Sequence, residues 1–150
     1  MKIIIPMAGM GKRMRPHTLT IPKPLINIAG KPIVQRLVED LMDLVDEKVE
    51  EIAYIIGDFG AEVEEHLLDI ATSVGSKGKI YYQNQALGTA HAISCAAESI
   101  SGKVIVAFAD TLFRTTQKMD TSREGIIWVH KVEDPSAFGV VKTDSKDIVT

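Results

Sequence analysis

KIIIPMA, residues 2–8, runs straight into GMGKRMRP, residues 9–16. Three consecutive isoleucines suit a strand buried on both faces, because a strand with one wet face would alternate apolar and polar residues. From Pro32 onward the period changes: Ile33, Val34, Leu37, Leu41, Leu44 and Val45 recur at helical spacing, with Pro32 suited to the first helical position. EIAYIIG (51–57) predicts a second strand, and Val63, Leu67, Ile70, Ala71 and Val74 mark a second helix closed by Gly75. KIYYQ (79–83) predicts a third strand. Gly88 and Thr89 then lead into a small-residue helix with Ala90, Ile93, Ala97 and Ile100 on one face and Thr89 as its N-cap. KVIVAFA (103–109) predicts a fourth strand. After Asp110 the alternation stops, and Gly125 to Val132 and Phe138 to Lys142 predict strands with no helix between them. Strand–helix alternation of this kind predicts an α/β fold, an open, mostly parallel sheet with helices on both faces. Such sheets hold their ligands at the carboxyl ends of the strands.

The chain has 150 residues, the size of one domain, and a chain that long buries roughly 70% of its extended surface without staples. Its residues are 45% hydrophobic and 25% charged, ordinary for a globular protein and excluding a disordered or collagen-like one. A net charge of −3 provides no global basic field for nucleic acid. No run approaches the ~20 apolar residues of a membrane span, no secretory leader is visible, and the lone Cys95 excludes a disulfide framework. A cytoplasmic protein with neither nucleic acid nor membrane as partner is the expectation.

Four places at predicted strand ends carry chemistry. The 9–16 loop fails the Walker A pattern, since counting back five from Gly11 gives Pro6 and Lys12 precedes Arg13. It also fails the dinucleotide fingerprint, whose third glycine would fall on Met14. What remains is a loop with Gly9 and Gly11, whose main-chain N–H groups can close on an oxyanion, and with Lys12, Arg13 and Arg15 to neutralise it. A solvated basic turn fits the same residues. Pro22-Lys23-Pro24 predicts a stiff extended segment that holds one ammonium group in place, or a plain surface linker. In QNQALGTAHA (83–92), Gln83 ends a strand and Gly88 opens a helix, where the missing side chain permits close approach of a flat base and the helix N-terminus adds partial positive charge. Asp110 follows an apolar strand, either as a turn former or as a ligand for a hard cation such as Mg2+.

Other residues have plainer readings. His91 is expected to pack or cap, His17 to lie in a loop, His66 to be solvated beside Glu64 and Glu65, and Cys95 to be a small buried thiol. His130 and Trp128 alternate in one predicted strand as structural residues.

Taken together the four places resemble the sugar-phosphate nucleotidylyltransferases. The resemblance runs through Ala8-Gly9-x-Gly11-x-Arg13-Met14-x-Pro16, Pro22-Lys23-Pro24-Leu25, Gln83 with Gly88-Thr89-Ala90, Asp110 with Leu112-Phe113, and Glu133-Asp134-Pro135 before Phe138-Gly139-Val140-Val141. It implies a Rossmann-like fold and transfer of a nucleoside monophosphate from a nucleoside triphosphate to a sugar 1-phosphate, releasing pyrophosphate by in-line displacement. Two anions must meet, so the protein's work is positioning and charge neutralisation.

By resemblance Arg13 would hold the triphosphate and Lys23 would bridge the reacting phosphates. Asp110 would carry Mg2+, and Ala8, Gly9, Met10, Gly11 and Lys12, with Gln83, Gly88 and Thr89, would hold the nucleotide. Phe138 and Gly139 would form a sugar-binding turn. Two departures stand out. Ala109 replaces the glycine usual before the metal aspartate, and the family's Glu-Lys-Pro segment and second metal aspartate are not found before Thr150. Residues 1–150 are therefore expected to be the N-terminal, nucleotide-binding part of a longer, C-terminally truncated enzyme, inactive as a fragment. An apolar face left uncovered would invite self-association into a homo-oligomer.

Gln83 bears on the base. Uracil and thymine present a donor, N3–H, beside an acceptor, O4, and a glutamine amide can meet both. Guanine presents two donors that call for a carboxylate, so UTP or dTTP is expected over GTP. Two other functions share part of the pattern: a cytidylyltransferase acting on a non-sugar alcohol phosphate, and a non-catalytic nucleotide-sensing domain. The Phe138-Gly139 turn favours a sugar over the first, and the intact Arg13, Lys23 and Asp110 favour catalysis over the second.

Overall fold

The computed structural model describes residues 1–9, 11, 14–18, 21–137 and 139–150. It divides into two compact units, Met1–Met119 and Asp120–Thr150.

The first unit is built on four parallel strands, β1 (Lys2–Pro6), β4 (Glu51–Ile56), β5 (Lys77–Tyr82) and β6 (Val104–Val106), in the order β5-β4-β1-β6. The crossovers are α1 (Ile33–Leu44), α2 (Ala61–Ser73) and α3 (Thr89–Cys95). A short antiparallel pair, β2 (Asn27–Ile28) with β3 (Lys31–Pro32), precedes α1. The chain steps outward from β1 through β4 to β5 and then crosses back to the other side of β1. Right-handed crossovers reverse faces when the direction of winding reverses, so α3 covers the face opposite α1 and α2.

The side-chain alternation of β1 and β4 bears this out. Ile3, Ile5, Ile52, Tyr54 and Ile56 pack with Val34, Leu37 and Leu41 of α1 and Leu67 and Ile70 of α2. Ile4, Ala53 and Ile55 face the other way, onto Ala92 of α3 and Ala96 just beyond it. The unbroken apolar runs of the sequence thus reflect strands covered on both sides. Tyr54 shows the cost of so dry a centre: it is fully buried, its hydroxyl has no hydrogen-bond partner among the described residues, and burial pushes its pKa up.

Element boundaries fall close to those the periodicity predicts, with three exceptions of substance. The third helix, expected to be capped by Thr89 and to bury Ala90, Ile93, Ala97 and Ile100, has Gly88 at its N-cap and ends at Cys95. Ala92 and Ala96 are the residues that meet the sheet. The fourth strand is limited to three residues, because the ladder with β1 ends at Val106 and the chain turns at Phe108, whose carbonyl accepts from the Thr111 amide at 3.1 Å. Pro32 lies one residue ahead of α1, which ends at Leu44, so Val45 is extended rather than helical.

The second unit corrects the sequence reading more strongly. Neither Gly125–Val132 nor the described part of Phe138–Lys142 forms a strand, and the pairing found is an isolated bridge between Thr143 and Val149. Ile127 and Val129 are more than half exposed, and His130 is likewise exposed. An alternating pattern makes a strand only where a neighbouring ladder and a buried face receive it. What organises this unit instead is a series of aspartate turns. Asp120 accepts from the Ser122 amide at 3.1 Å, Asp134 from the Ser136 amide at 2.9 Å, and Asp144 from the Lys146 amide at 2.8 Å. Among the described residues no helix is long and apolar enough to cross a membrane.

Candidate active site

In the β5-β4-β1-β6 order the winding direction changes between β1 and β6, and a crevice opens at the carboxyl ends of strands at such a switch point. The first unit has a cleft of about 690 Å3 there. Each wall comes from one strand end. Beyond β1, the Met7 amide still donates to the Ile55 carbonyl at 2.8 Å, so the sheet holds the chain until it leaves as Ala8 and Gly9. Beyond β5, the Gln83 amide donates to the Ile56 carbonyl at 2.8 Å and delivers the Gln83 side chain to the opposite rim. Beyond β6, Phe108, Ala109 and Asp110 close the third side.

Of the residues singled out from the sequence, Ala8, Gly9, Gly11, Lys23, Gln83, Gly88, Thr89 and Asp110 all line this cleft. Met10, Lys12, Arg13 and Phe138 lie outside the described residues. Gly139 belongs to the second unit. Ala109, where the resemblance expects glycine, is accommodated as a buried methyl in the cleft wall.

Lys23 and Asp110, 87 residues apart in the chain, meet here: the Lys23 ammonium donates to Asp110 Oδ2 at 3.0 Å. Lys23 is not carried on an extended segment. It begins a 3-10 turn, Lys23–Leu25, in which the Leu25 amide donates to the Pro22 carbonyl at 2.9 Å. Pro22 fixes the extended entry and Pro24 is buried, so the segment is stiff for the reason given but tighter than predicted.

Gly11 packs against the Lys23 side of this pair. It has φ +57, and a Cβ there would come within 2.9 Å of Lys23 Cβ and 3.0 Å of Thr18 Cγ2. The Thr18 hydroxyl, buried, donates to the Gly11 carbonyl at 2.9 Å. Thr18 escapes the sequence reading because its partner is a backbone carbonyl seven residues away, which no local pattern reveals. Gly88 differs: its φ is +96 and a Cβ there would meet nothing within 4 Å, so this rim is open to a ligand.

Gln83 does not offer both halves of its amide to the cleft. Its Nε2 donates to the Gly88 carbonyl at 3.1 Å and lies 3.1 Å from His91 Nδ1. The two-bond match with a uracil edge is therefore reduced to what Oε1 can accept. His91, expected only to pack or cap, stands directly behind a cleft residue.

The donor set bears on a metal. Asp110 is half exposed, with Lys23 at one oxygen and the Thr111 hydroxyl 3.4 Å from the other. Among the described residues no three His, Cys, Asp or Glu side chains gather to form a closed cage. One accessible carboxylate in an open cleft suits Mg2+, which keeps waters and shares ligand oxygens, and does not suit a metal held by protein alone.

Comparison with known proteins agrees with this geometry. The family model described as Nucleotidyl transferase matches residues 2–150. A relative named bifunctional protein GlmU, from Methanococcus maripaludis, is 32% identical over 142 residues, covering 95% of this chain and 32% of its own. The mannose-1-phosphate guanylyltransferase catalytic subunit beta of Danio rerio is 33% identical over 152 residues, covering 94% of this chain and 41% of its own. A UDP-glucose pyrophosphorylase solved with UDP-glucose superposes with a TM-score of 0.57 at 29% identity, over 73% of this chain and 45% of that one. The chain thus spans less than half the length of each of these proteins. The match of that family model to residues 2–150 places this chain in the nucleotidyl transferase family.

Proposed function

We propose that the cleft binds a nucleoside triphosphate and that the reaction it serves transfers the nucleoside monophosphate to a sugar 1-phosphate. The observation that carries this reading is the meeting of Lys23 and Asp110 in a cleft that the glycine loop beyond β1 also lines. An ammonium and a carboxylate held 3.0 Å apart offer a donor for phosphate oxygens and a ligand for the cation that accompanies them. In the transfer, a phosphate oxygen of the sugar 1-phosphate forms a bond to the α-phosphorus as the bond to the bridging oxygen breaks, and pyrophosphate leaves. No proton need move, so the protein's contribution is alignment and charge neutralisation. Lys23 donates to the reacting phosphates, and the Ala8–Gly11 backbone follows the triphosphate. Arg13 and Lys12 add charge to it, as the family resemblance implies. Mg2+, held by Asp110, supplies further neutralisation of the phosphate charge when bound.

The base lies between Gln83 and the open Gly88 rim, with Thr89 beside it. Its ring N–H meets Gln83 Oε1, which favours UTP or dTTP. Phe138 and Gly139 belong to the sugar side. Residues 1–150 serve as the nucleotide-binding part and by themselves release no pyrophosphate. Substrates of this kind are soluble intracellular anions, and a cytoplasmic setting goes with them.

The test is an amide NMR titration of residues 1–150 with Mg2+-UTP. Shifts should concentrate at Gly9, Gly11, Lys23, Gly88 and Asp110. A response confined to other residues, or none at millimolar nucleotide, would overturn the assignment of the cleft.

A further inference from the structure

Resting on the nucleotide reading of the cleft, we infer that His91 is a positioning residue that sets base selectivity by fixing which end of the Gln83 amide faces the base. A glutamine amide can turn over, exchanging its donor and acceptor ends, and its hydrogen-bond partners decide the orientation. Gln83 has two such partners behind the cleft. The Gly88 carbonyl, 3.1 Å from Nε2, can only accept. His91 Nδ1, also 3.1 Å from Nε2, accepts when the ring proton is on the far nitrogen. With both N–H groups of Nε2 committed, Oε1 is the end left for the cleft, and it can only accept.

The consequence is a choice between pyrimidines. At the ring position that meets Oε1, uracil and thymine carry N3–H, which donates to it. Cytosine carries a bare N3 there, whose lone pair opposes that of Oε1. Turning the amide over would reverse the preference, but it would set Oε1 against both the Gly88 carbonyl and His91 Nδ1. His91 sits in the first turn of α3, two residues beyond Thr89, and does not itself line the cleft. Its effect on the ligand therefore passes through Gln83.

Two measurements test this. In ligand-free protein, long-range 1H–15N spectra of His91 should show a proton on Nε2 and a bare Nδ1. A proton on Nδ1 would overturn the inference whatever the cleft binds. In calorimetric titrations with Mg2+-UTP and Mg2+-CTP, wild type should prefer UTP. His91→Leu, which removes the acceptor but keeps bulk, should cut that preference by about fivefold to tenfold, the worth of one hydrogen bond. His91→Asn, whose Oδ1 can accept near the place of Nδ1, should restore most of it. A merely structural His91 would weaken both nucleotides alike and leave their ratio unchanged, and that result would overturn the inference while sparing the nucleotide reading. Failure of wild type to bind either nucleotide would overturn both.

Discussion

At the amino end of the sheet, Glu51 opens β4 with a side chain only 10% exposed, ion-paired to Lys79 at 3.1 Å and bonded by the Ser99 hydroxyl. At the carboxyl end, Asp110 follows β6 with a side chain 54% exposed and a single ion-pair partner, Lys23. The Tyr81 and Ser99 hydroxyls join 2.7 Å apart at the amino end, so that cluster ties the chain just past α3 to β4 and β5. A carboxylate enclosed by partners spends its bonding capacity on the fold. One that is half exposed, with one exchangeable partner, keeps that capacity for a ligand. The same residue chemistry thus holds structure at one end of the strands and keeps bonding capacity open at the other.

Asp110→Asn should produce the largest change. Loss of the charge should weaken Mg2+-UTP binding by about tenfold to a hundredfold, the range for a charge-assisted contact. Because an exposed ion pair contributes only about 0–1 kcal/mol, thermal melting should barely shift. Calorimetry and melting on the same samples check both halves, and a large loss of stability would break the contrast between the two ends.

Ser99→Ala should do the reverse. Removing a buried partner of a carboxylate should destabilise by about 1.5–3 kcal/mol with nucleotide affinity little changed. The effect should depend on pH. Burial alone would raise the Glu51 pKa, but the hydrogen bonds from Ser99 and Lys79 and the charges of Lys79 and Lys2 outweigh it and hold it below its ordinary value of 4.5. A lowered carboxylate pKa gives stability that is present above the ordinary value and lost as pH falls through the lowered one. Without the Ser99 bond that lowering shrinks, so the destabilisation of Ser99→Ala relative to wild type should be full above the ordinary value of 4.5 and narrow as pH falls below it.

Gly11→Ala should affect fold and ligand together. The positive φ and the close approach of Lys23 should cost about 1 kcal/mol or somewhat more of stability. A displaced Lys23 should also weaken the nucleotide, and urea denaturation with calorimetry separates the two effects. Tyr54→Phe should change least, stabilising by up to about 1 kcal/mol because the hydroxyl it removes is buried without a partner. Urea denaturation midpoints detect that shift, and a destabilised variant would show that the hydroxyl has a role in the core.

Much of this was legible in the sequence, for physical reasons that differ by residue. Ile3, Ile4 and Ile5 signal a strand covered on both faces because burial dictates composition directly, and the run into Gly9 and Gly11 locates the crevice. Lys23 and Asp110 could be nominated separately, but their 3.0 Å meeting depends on β6 lying beside β1, a long-range fact that no local pattern encodes. Thr18 and the bond between His91 and Gln83 escape the sequence because each joins residues through a backbone or side chain seven or eight positions away, which no local pattern marks. Residues 125–132 failed as a strand because alternation describes a face without providing the neighbour that would cover it.

The central claim is that the carboxyl end of the sheet holds a nucleoside triphosphate through the lysine–aspartate pair. Calorimetric titration of residues 1–150 with UTP, dTTP, CTP, GTP and ATP, each with Mg2+ and repeated on Lys23→Ala, tests it most directly. UTP or dTTP should bind more tightly than CTP, whose bare N3 opposes Gln83 Oε1, by about fivefold to tenfold, and Lys23→Ala should lose most of the affinity for every nucleotide. Tighter binding of CTP than of both UTP and dTTP would contradict the role given to Gln83, and undiminished binding by Lys23→Ala would contradict the site itself.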